Sequence, residues 1–121
     1  MILHIARRGD WERALKRGEY APDSIAAEGF IHCSTLAQVV ATANLHYRGQ
    51  RDLVLLSIDE ARLVAPLKYE LPHGAGGARA DARFPHIHGP LNPAAVTRVI
   101  DFPCALDGSF VLPAIAPAST R

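Results

Sequence analysis

Short runs of apolar and β-branched residues, bounded by turn residues, recur along the chain and predict strands. The first half contains ILHIA (2–6), GFIHCS (29–34) and DLVLLSID (52–59), and the last run is almost continuously apolar, as expected of a central strand. The second half adds RFPHIHG (83–89), AAVTRVIDFPC (94–104) and GSFVLP (108–113). In LVAPLKYEL (63–71), alternation places Leu67, Tyr69 and Leu71 on one side and Lys68 and Glu70 on the other.

Two further segments have the periodicity of amphipathic helices. In GDWERALKRG (9–18), Asp10 is the predicted N-cap, and the predicted buried stripe consists of Trp11, Ala14 and Leu15. In TLAQVVATANLHYRG (35–49), Thr35 and Gln38 match a capping box, whereas YAPDS (20–24) predicts a turn. Helices come early, strands come late and strand–helix–strand units are few. The pattern therefore favours an α+β fold with two or three helices and a mainly antiparallel sheet.

Composition bounds the class of protein without naming an activity. A length of 121 residues predicts one domain, assigned to residues 1–113, followed by a flexible tail over residues 114–121. The net charge of +1 provides no electrostatic reason to expect nucleic acid or a membrane surface as partner. The two cysteines form no CxxC pair, and the N-terminal apolar run is too short for a signal peptide, so a cytoplasmic location is expected.

The segment GFIHCS is the first candidate for a functional site. Alternation along a strand places Phe30, His32 and Ser34 on one face and Ile31 and Cys33 on the other, which predicts a core role for the latter pair. Because neighbours on a strand point apart, Cys33 and His32 are not expected to form a nucleophilic dyad. Two polar side chains on one face, beside the start of a predicted helix, indicate a place where an anion could bind.

A second candidate is FPHIH (84–88), in which His86 and His88 share one face of an extended segment. Two such imidazoles are reasonable metal ligands, with His32 or His4 as a third, but no neighbouring Asp or Glu provides an obvious supporting shell. His4 lies within an apolar strand, where a core role is the simpler interpretation. Glu70 has no partner at catalytic spacing in the sequence, which favours a solvated face. The glycine-rich segment 72–83 lacks both common phosphate-binding motifs and predicts a plain loop.

Together the motifs LHI, W..A...G.Y.PDS, EGFIHCST, FPHIHGPLN and DGSFVLP resemble a bacterial family catalogued as domain of unknown function 952, over residues 2 to 113. The resemblance implies an ADP-ribosyltransferase-like fold, in which a split antiparallel sheet forms a cleft that holds NAD in active relatives. The family usually carries tyrosine where this chain has His88. That departure argues against a metal centre, so the resemblance implies NAD as the candidate cofactor and no metal.

The resemblance also implies residue roles. His4, His32 and His86 are the candidate catalytic residues, whereas His4, Phe30, Ser34 and His88 are the candidate cofactor-binding residues. Active transferases commonly use a glutamate that no matching motif places here, and Glu70 is a candidate by chemistry alone. Three functions therefore stay open: an NAD-dependent glycosyl or ADP-ribosyl transferase or hydrolase, a non-catalytic module that binds a nucleotide or peptide, and a histidine-ligated metal enzyme. The oligomeric state is not predicted.

Overall fold

A computed structural model describes residues 1–71 and 83–115 as an α+β arrangement of two three-stranded antiparallel sheets and three α-helices. The strands are β1 (Ile2–Arg7), β2 (Ile31–His32), β3 (Leu53–Ile58), β4 (Leu67–Glu70), β5 (Phe84–Ile87) and β6 (Val96–Asp101). The helices are α1 (Arg8–Arg17), α2 (Asp23–Glu28) and α3 (Val39–His46), with short 3-10 turns at Glu60–Arg62 and Pro93–Ala95. Residues 72–82 of the predicted loop and residues 116–121 of the predicted tail lie outside the described residues.

The two sheets have the strand orders β1-β3-β6 and β2-β5-β4. All residues of β3 are buried and this strand is paired on both sides, which confirms the predicted central strand. A backbone bridge joins the two sheets in the described part of the chain: the amide N–H groups of Leu3 and Ser34 each donate to the other residue's carbonyl at 2.8 Å. The mainly antiparallel α+β arrangement expected from the sequence is therefore confirmed.

Two apolar clusters lie on opposite faces of the β1-β3-β6 sheet. The first joins this sheet to the second one through Ile31, Cys33 and Ile87, together with Trp11 and Ala14 of α1. The second packs β1, β3 and β6 against α3 and the segment that follows β6. Ile31 and Cys33 are almost completely buried, which confirms the predicted parity of GFIHCS. Burial also raises the pKa of the Cys33 thiol, which makes it a poor nucleophile.

Some local predictions were wrong. The segment predicted as a turn opens α2: Pro22 occupies its N-cap with a φ of −68°, an angle that suits a helix start as well as a turn. The helix α1 begins at Arg8, directly after β1, so Asp10 lies in its first turn and is not its N-cap. Leu15 is 53% exposed, because only the narrower stripe of Trp11 and Ala14 faces the core.

The segment 108–113 forms no strand, although Phe110 is buried against Phe102. Its backbone pairs with a side chain instead. Asn44 Nδ2 donates to the Phe110 carbonyl at 3.2 Å, and the Phe110 amide donates to Asn44 Oδ1 at 2.7 Å. One amide side chain on α3 thus satisfies the groups that a neighbouring strand would have paired. Of the described helices, none is long and apolar enough to cross a membrane.

Candidate functional site

One face of the β2-β5-β4 sheet carries a cluster of three imidazoles, a phenyl ring and a carboxylate. Ile31, Ile87 and Leu67 point from this sheet into the core, so the residues of opposite parity occupy the other face. We define the histidine cluster as the five side chains on that face that contact one another: Phe30, His32, Glu70, His86 and His88.

Strand pairing brings residues from three distant parts of the chain into this cluster. His32 of β2 is the register partner of His86 of β5, and their ring centroids lie 5.4 Å apart. On the other side of β5, Glu70 of β4 pairs with Phe84, which places its carboxylate diagonally across from His86. Because β5 lies between β2 and β4, His86 contacts His32 on one side and Glu70 on the other.

Phe30 is the centre around which the imidazoles pack. It is buried, and its ring stacks on His86 at a centroid distance of 4.0 Å, meets His32 in a T-shaped contact at 4.8 Å and lies tilted against His88 at 5.3 Å. Gly29, which precedes it, ends α2 with a φ of 91°, a conformation that residues with a side chain rarely adopt. This left-handed turn carries the chain from α2 into β2 and so helps to fix where the phenyl ring stands.

Glu70 is the hydrogen-bond acceptor that joins the two histidines of β5. His86 Nδ1 donates to Glu70 Oε1 at 2.7 Å, and His88 Nε2 donates to the same oxygen at 2.8 Å. The expectations that Glu70 has no partner and that no carboxylate supports the HxH pair were therefore wrong, whereas the side chain is 37% exposed, as expected of a solvated face. Gly89 follows His88 with a φ of 151°, and a Cβ there would lie 2.9 Å from the Cβ of Ala65, so a larger residue would displace this end of β5.

The hydrogen bonds determine the protonation states in the cluster. Donation by His88 and His86 holds the pKa of Glu70 below its usual range, so the carboxylate is ionised at neutral pH. Burial lowers the pKa of His86, and this effect exceeds the stabilisation of its charged form by Glu70. His86 is therefore neutral near pH 7, with its proton on Nδ1. The contact with Glu70 uses Nδ1, so Nε2 is the ring nitrogen that carries the lone pair.

A second carboxylate supports His32. The His32 side chain is 52% exposed, and its Nε2 lies 3.0 Å from Glu28 Oε2 at the end of α2. Glu28 was not among the candidate residues, and Glu70 was a candidate by chemistry alone. The signal that could have found Glu28 is its four-residue spacing from His32, which brings the two together once α2 and the Gly29 turn are known.

His4 and Ser34 lie next to the cluster but do not join it through their side chains. His4 is buried; its Nδ1 donates to the carbonyl of His32 at 2.6 Å and its Nε2 accepts from the Tyr20 hydroxyl at 2.8 Å. The Ser34 hydroxyl is buried and faces Thr42 Oγ1 at 3.5 Å, while its backbone pairs with Leu3. The structure thus brings together His32, His86, His88 and Phe30 of the predicted residues, and places His4 and Ser34 behind them.

Burial of the His4 ring disfavours its charged form and lowers its pKa to about 4. We therefore expect His4 to remain neutral until the pH falls to about that value. An unfolded chain binds a proton at His4 below its ordinary pKa of 6.5. Between pH 6.5 and 4 the unfolded state therefore holds more protons, and the free energy of unfolding falls by about 3 kcal/mol as the pH is lowered. An NMR titration of the histidine rings measures this pKa directly. A His4 midpoint close to 6.5 would contradict the buried, hydrogen-bonded ring.

A cavity of about 210 Å³ lies beside α1 and is lined in part by Tyr20, whose hydroxyl donates to His4. Its lining also includes three arginines and two aspartates, and one arginine–aspartate pair is in contact: Arg7, Arg13, Arg17, Asp10 and Asp23. Arginine side chains are well suited to bind phosphate, because the guanidinium group offers several donors in one plane. The Tyr20 hydroxyl, the His4 ring and the His32 carbonyl form a hydrogen-bonded chain from this cavity to β2.

Solved structures of protein CC0527 from Caulobacter crescentus are similar to this chain. One crystal structure is 37% identical, with a TM-score of 0.78, and the match covers 92% of this chain and 93% of that chain. A crystal structure of a double mutant of CC0527 matches at 36% identity with the same coverage and TM-score. Its solution NMR structure matches at 37% identity and a TM-score of 0.74, over 89% of each chain.

A comparison with curated proteins finds no match. The family described as "Protein of unknown function (DUF952)" matches residues 5–99, which include the whole of the histidine cluster and most of both sheets. This match confirms the family that the sequence motifs indicated, and the chain belongs to the DUF952 family of proteins of unknown function.

Proposed function

We propose that this protein is an ADP-ribosyltransferase-like enzyme that binds NAD at the histidine cluster and breaks the bond between nicotinamide and ribose. One observation carries the proposal: an ionised carboxylate, Glu70, is held by two imidazoles on the solvent-facing side of a split antiparallel sheet. The resemblance to that fold implies a need for such a glutamate. The apparent absence of this glutamate is a reason to favour a non-catalytic module. With Glu70 as the candidate glutamate, that reason no longer applies.

The chemistry assigned to each residue follows from its position. As the glycosidic bond breaks, its electron pair leaves with nicotinamide and positive charge develops on the ribose; the carboxylate of Glu70 stabilises that charge. An attacking water or acceptor hydroxyl forms the new bond to the ribose carbon and loses its proton to His86 Nε2. The products are nicotinamide and ADP-ribose, either free or joined to the acceptor. The His32 side chain, which is 52% exposed, provides an aromatic surface on which a planar ring stacks, and the buried Phe30 packs against it.

Two further features support a dinucleotide as the ligand. The cavity is lined by Arg7, Arg13 and Arg17 and also by Asp10 and Asp23, so a modest excess of positive charge faces a phosphate group there. His4 is assigned a positioning role, because both of its ring nitrogens are already bonded and it holds the carbonyl of His32. Ser34 likewise acts through the backbone bridge that joins the two sheets.

We expect NAD to raise the midpoint of thermal unfolding, because a ligand that binds only the native state stabilises it by about 1.4 kcal/mol at ten times its dissociation constant. Thermal unfolding is measured with NAD, ADP-ribose and nicotinamide in turn, and chromatography follows the release of nicotinamide over hours. A rise with NAD accompanied by nicotinamide release supports the enzyme. A rise without release would reduce the protein to a nucleotide-binding module, and neither effect at millimolar NAD would reject the function altogether.

A further inference from the structure

We propose that Glu70, His86 and His88 form a binding site for a divalent transition metal ion, for which Zn²⁺ is the representative ligand. The inference goes beyond the proposed function, since it requires no nucleotide and rests on the donor atoms alone. It also differs from the sequence-based expectation. That expectation was that no metal binds, because the family usually carries tyrosine where this chain has His88.

The donor atoms are already close to the arrangement that a metal requires. One ligand atom from each residue lies within 4.8 Å of the other two, and the two nitrogen-to-oxygen distances are 2.7 and 2.8 Å. Tetrahedral Zn²⁺ with ligands at about 2.0–2.2 Å separates neighbouring ligand atoms by about 3.3 Å. Each nitrogen-to-oxygen distance therefore has to lengthen by about 0.5 Å, and the two nitrogens, which lie within 4.8 Å of each other, have to come to about 3.3 Å for an ion to bind between them.

The combination of donors also selects the kind of metal. Two imidazole nitrogens and one carboxylate oxygen suit Zn²⁺ and neighbouring divalent transition metals, whereas Mg²⁺ and Ca²⁺ prefer sites built from oxygen alone. Each imidazole at present donates an N–H to Glu70. To bind a metal ion, each ring must offer the lone pair of the nitrogen that now faces Glu70. The proton on that nitrogen moves to the other nitrogen of the same ring, so a neutral ring stays neutral.

The proposed metal site is closed by buried side chains on one side and open to solvent on the other. The side chain of His86 is 4% exposed, whereas those of His88 and Glu70 are 26% and 37% exposed. Phe30 stacks on the buried ring and limits its rotation, which keeps the nitrogen that faces Glu70 in place. The open side gives an ion access from solvent and leaves a fourth position for water, as in sites that do chemistry.

The test measures Zn²⁺ binding to the purified, chelator-treated protein by titration calorimetry, with the absorption spectrum of bound Co²⁺ as a report on coordination geometry. We expect one ion per chain and an absorption band typical of tetrahedral coordination. Loss of a residue that only hydrogen-bonds to a metal ligand usually weakens metal binding by roughly 10- to 100-fold. The variants Glu70→Gln and His88→Gln, which remove ligands themselves, should weaken Zn²⁺ binding by more than that. His46→Ala removes an exposed histidine on α3 and should leave the affinity unchanged.

The inference is overturned if the wild-type chain does not bind Zn²⁺, or if both cluster variants bind it as the wild type does while their circular dichroism shows that they are folded. It is also overturned if His46→Ala abolishes binding. Because no NAD is present, the result is independent of the proposed enzyme. Zn²⁺ binding without nicotinamide release would support the metal site and reject the transferase. Nicotinamide release without Zn²⁺ binding would support the transferase and reject the metal site.

Discussion

The His4→Ala variant is expected to lose about 2 to 6 kcal/mol of unfolding free energy, because the buried Tyr20 hydroxyl and the part-buried His32 carbonyl would each lose a partner at about 1–3 kcal/mol. Since domains of this size are stable by about 5–15 kcal/mol, the loss is a large share of the total. Urea denaturation at pH 7 measures it. Here the imidazole acts as a structural bridge between β1, β2 and the loop that contains Tyr20.

Two controls separate the hydrogen bonds from the volume of the ring. His46→Ala truncates an exposed histidine and should change the stability by no more than about 0.5 kcal/mol. His4→Phe fills most of the space but pairs with neither group, so it should also be destabilising. Adding Tyr20→Phe to it removes the unpaired hydroxyl and should recover part of the loss. If His4→Ala were as stable as the His46 variant, the buried bridge would be refuted.

Replacing Glu70 by glutamine is expected to slow nicotinamide release by about 100- to 1,000-fold, the usual cost of removing one group that stabilises developing charge. Glutamine keeps the shape of glutamate and one acceptor oxygen, but carries no charge to oppose the one that forms on the ribose. The affinity for NAD should change little, because the proposed interaction develops only as the bond breaks. The measurement is a pair of steady-state parameters, kcat and KM, determined from nicotinamide release.

Glu19→Gln is the matched control, because it neutralises an exposed carboxylate outside the histidine cluster. Its kcat should equal that of the wild type. If Glu70→Gln raised KM alone and kept kcat, Glu70 would be a binding residue and not the group that stabilises the reaction. Equal activity of the two variants would remove Glu70 from the mechanism.

Alternation within single strands could be predicted from the sequence because a pleated strand sends successive side chains to opposite faces whatever its partners are. This local rule correctly separated Ile31 and Cys33, which pack in the core, from Phe30 and His32, which do not point into it. The same rule placed Glu70 on the side opposite Leu67. The helix α2 was missed because Pro22, Asp23 and Ser24 are as typical of a helix start as of a turn.

The contact of Glu70 with His86 and His88 could not be predicted in this way. Residues 71–83 separate the two strands, and a connection of this length does not set the pairing as a two-residue hairpin loop would. Leu67 and Ile87 are direct partners on the core side, where Ile87 is fully buried and Leu67 is partly buried, and this packing favours the observed register. In that register Lys68 is the direct partner of His86, and Glu70 lies diagonally across from it on the same face.

By itself, the amino-acid sequence determined the fold class, the central strand and the face to which each candidate histidine belongs, because these depend on apolar periodicity over a few residues. Only the tertiary structure decided which side chains meet. It joined Glu70 to His86 and His88 through strand register, and it separated His4 from them by surrounding its ring with Tyr20 and the His32 carbonyl. Such contacts depend on how distant segments pack to bury their apolar sides, which no local pattern specifies.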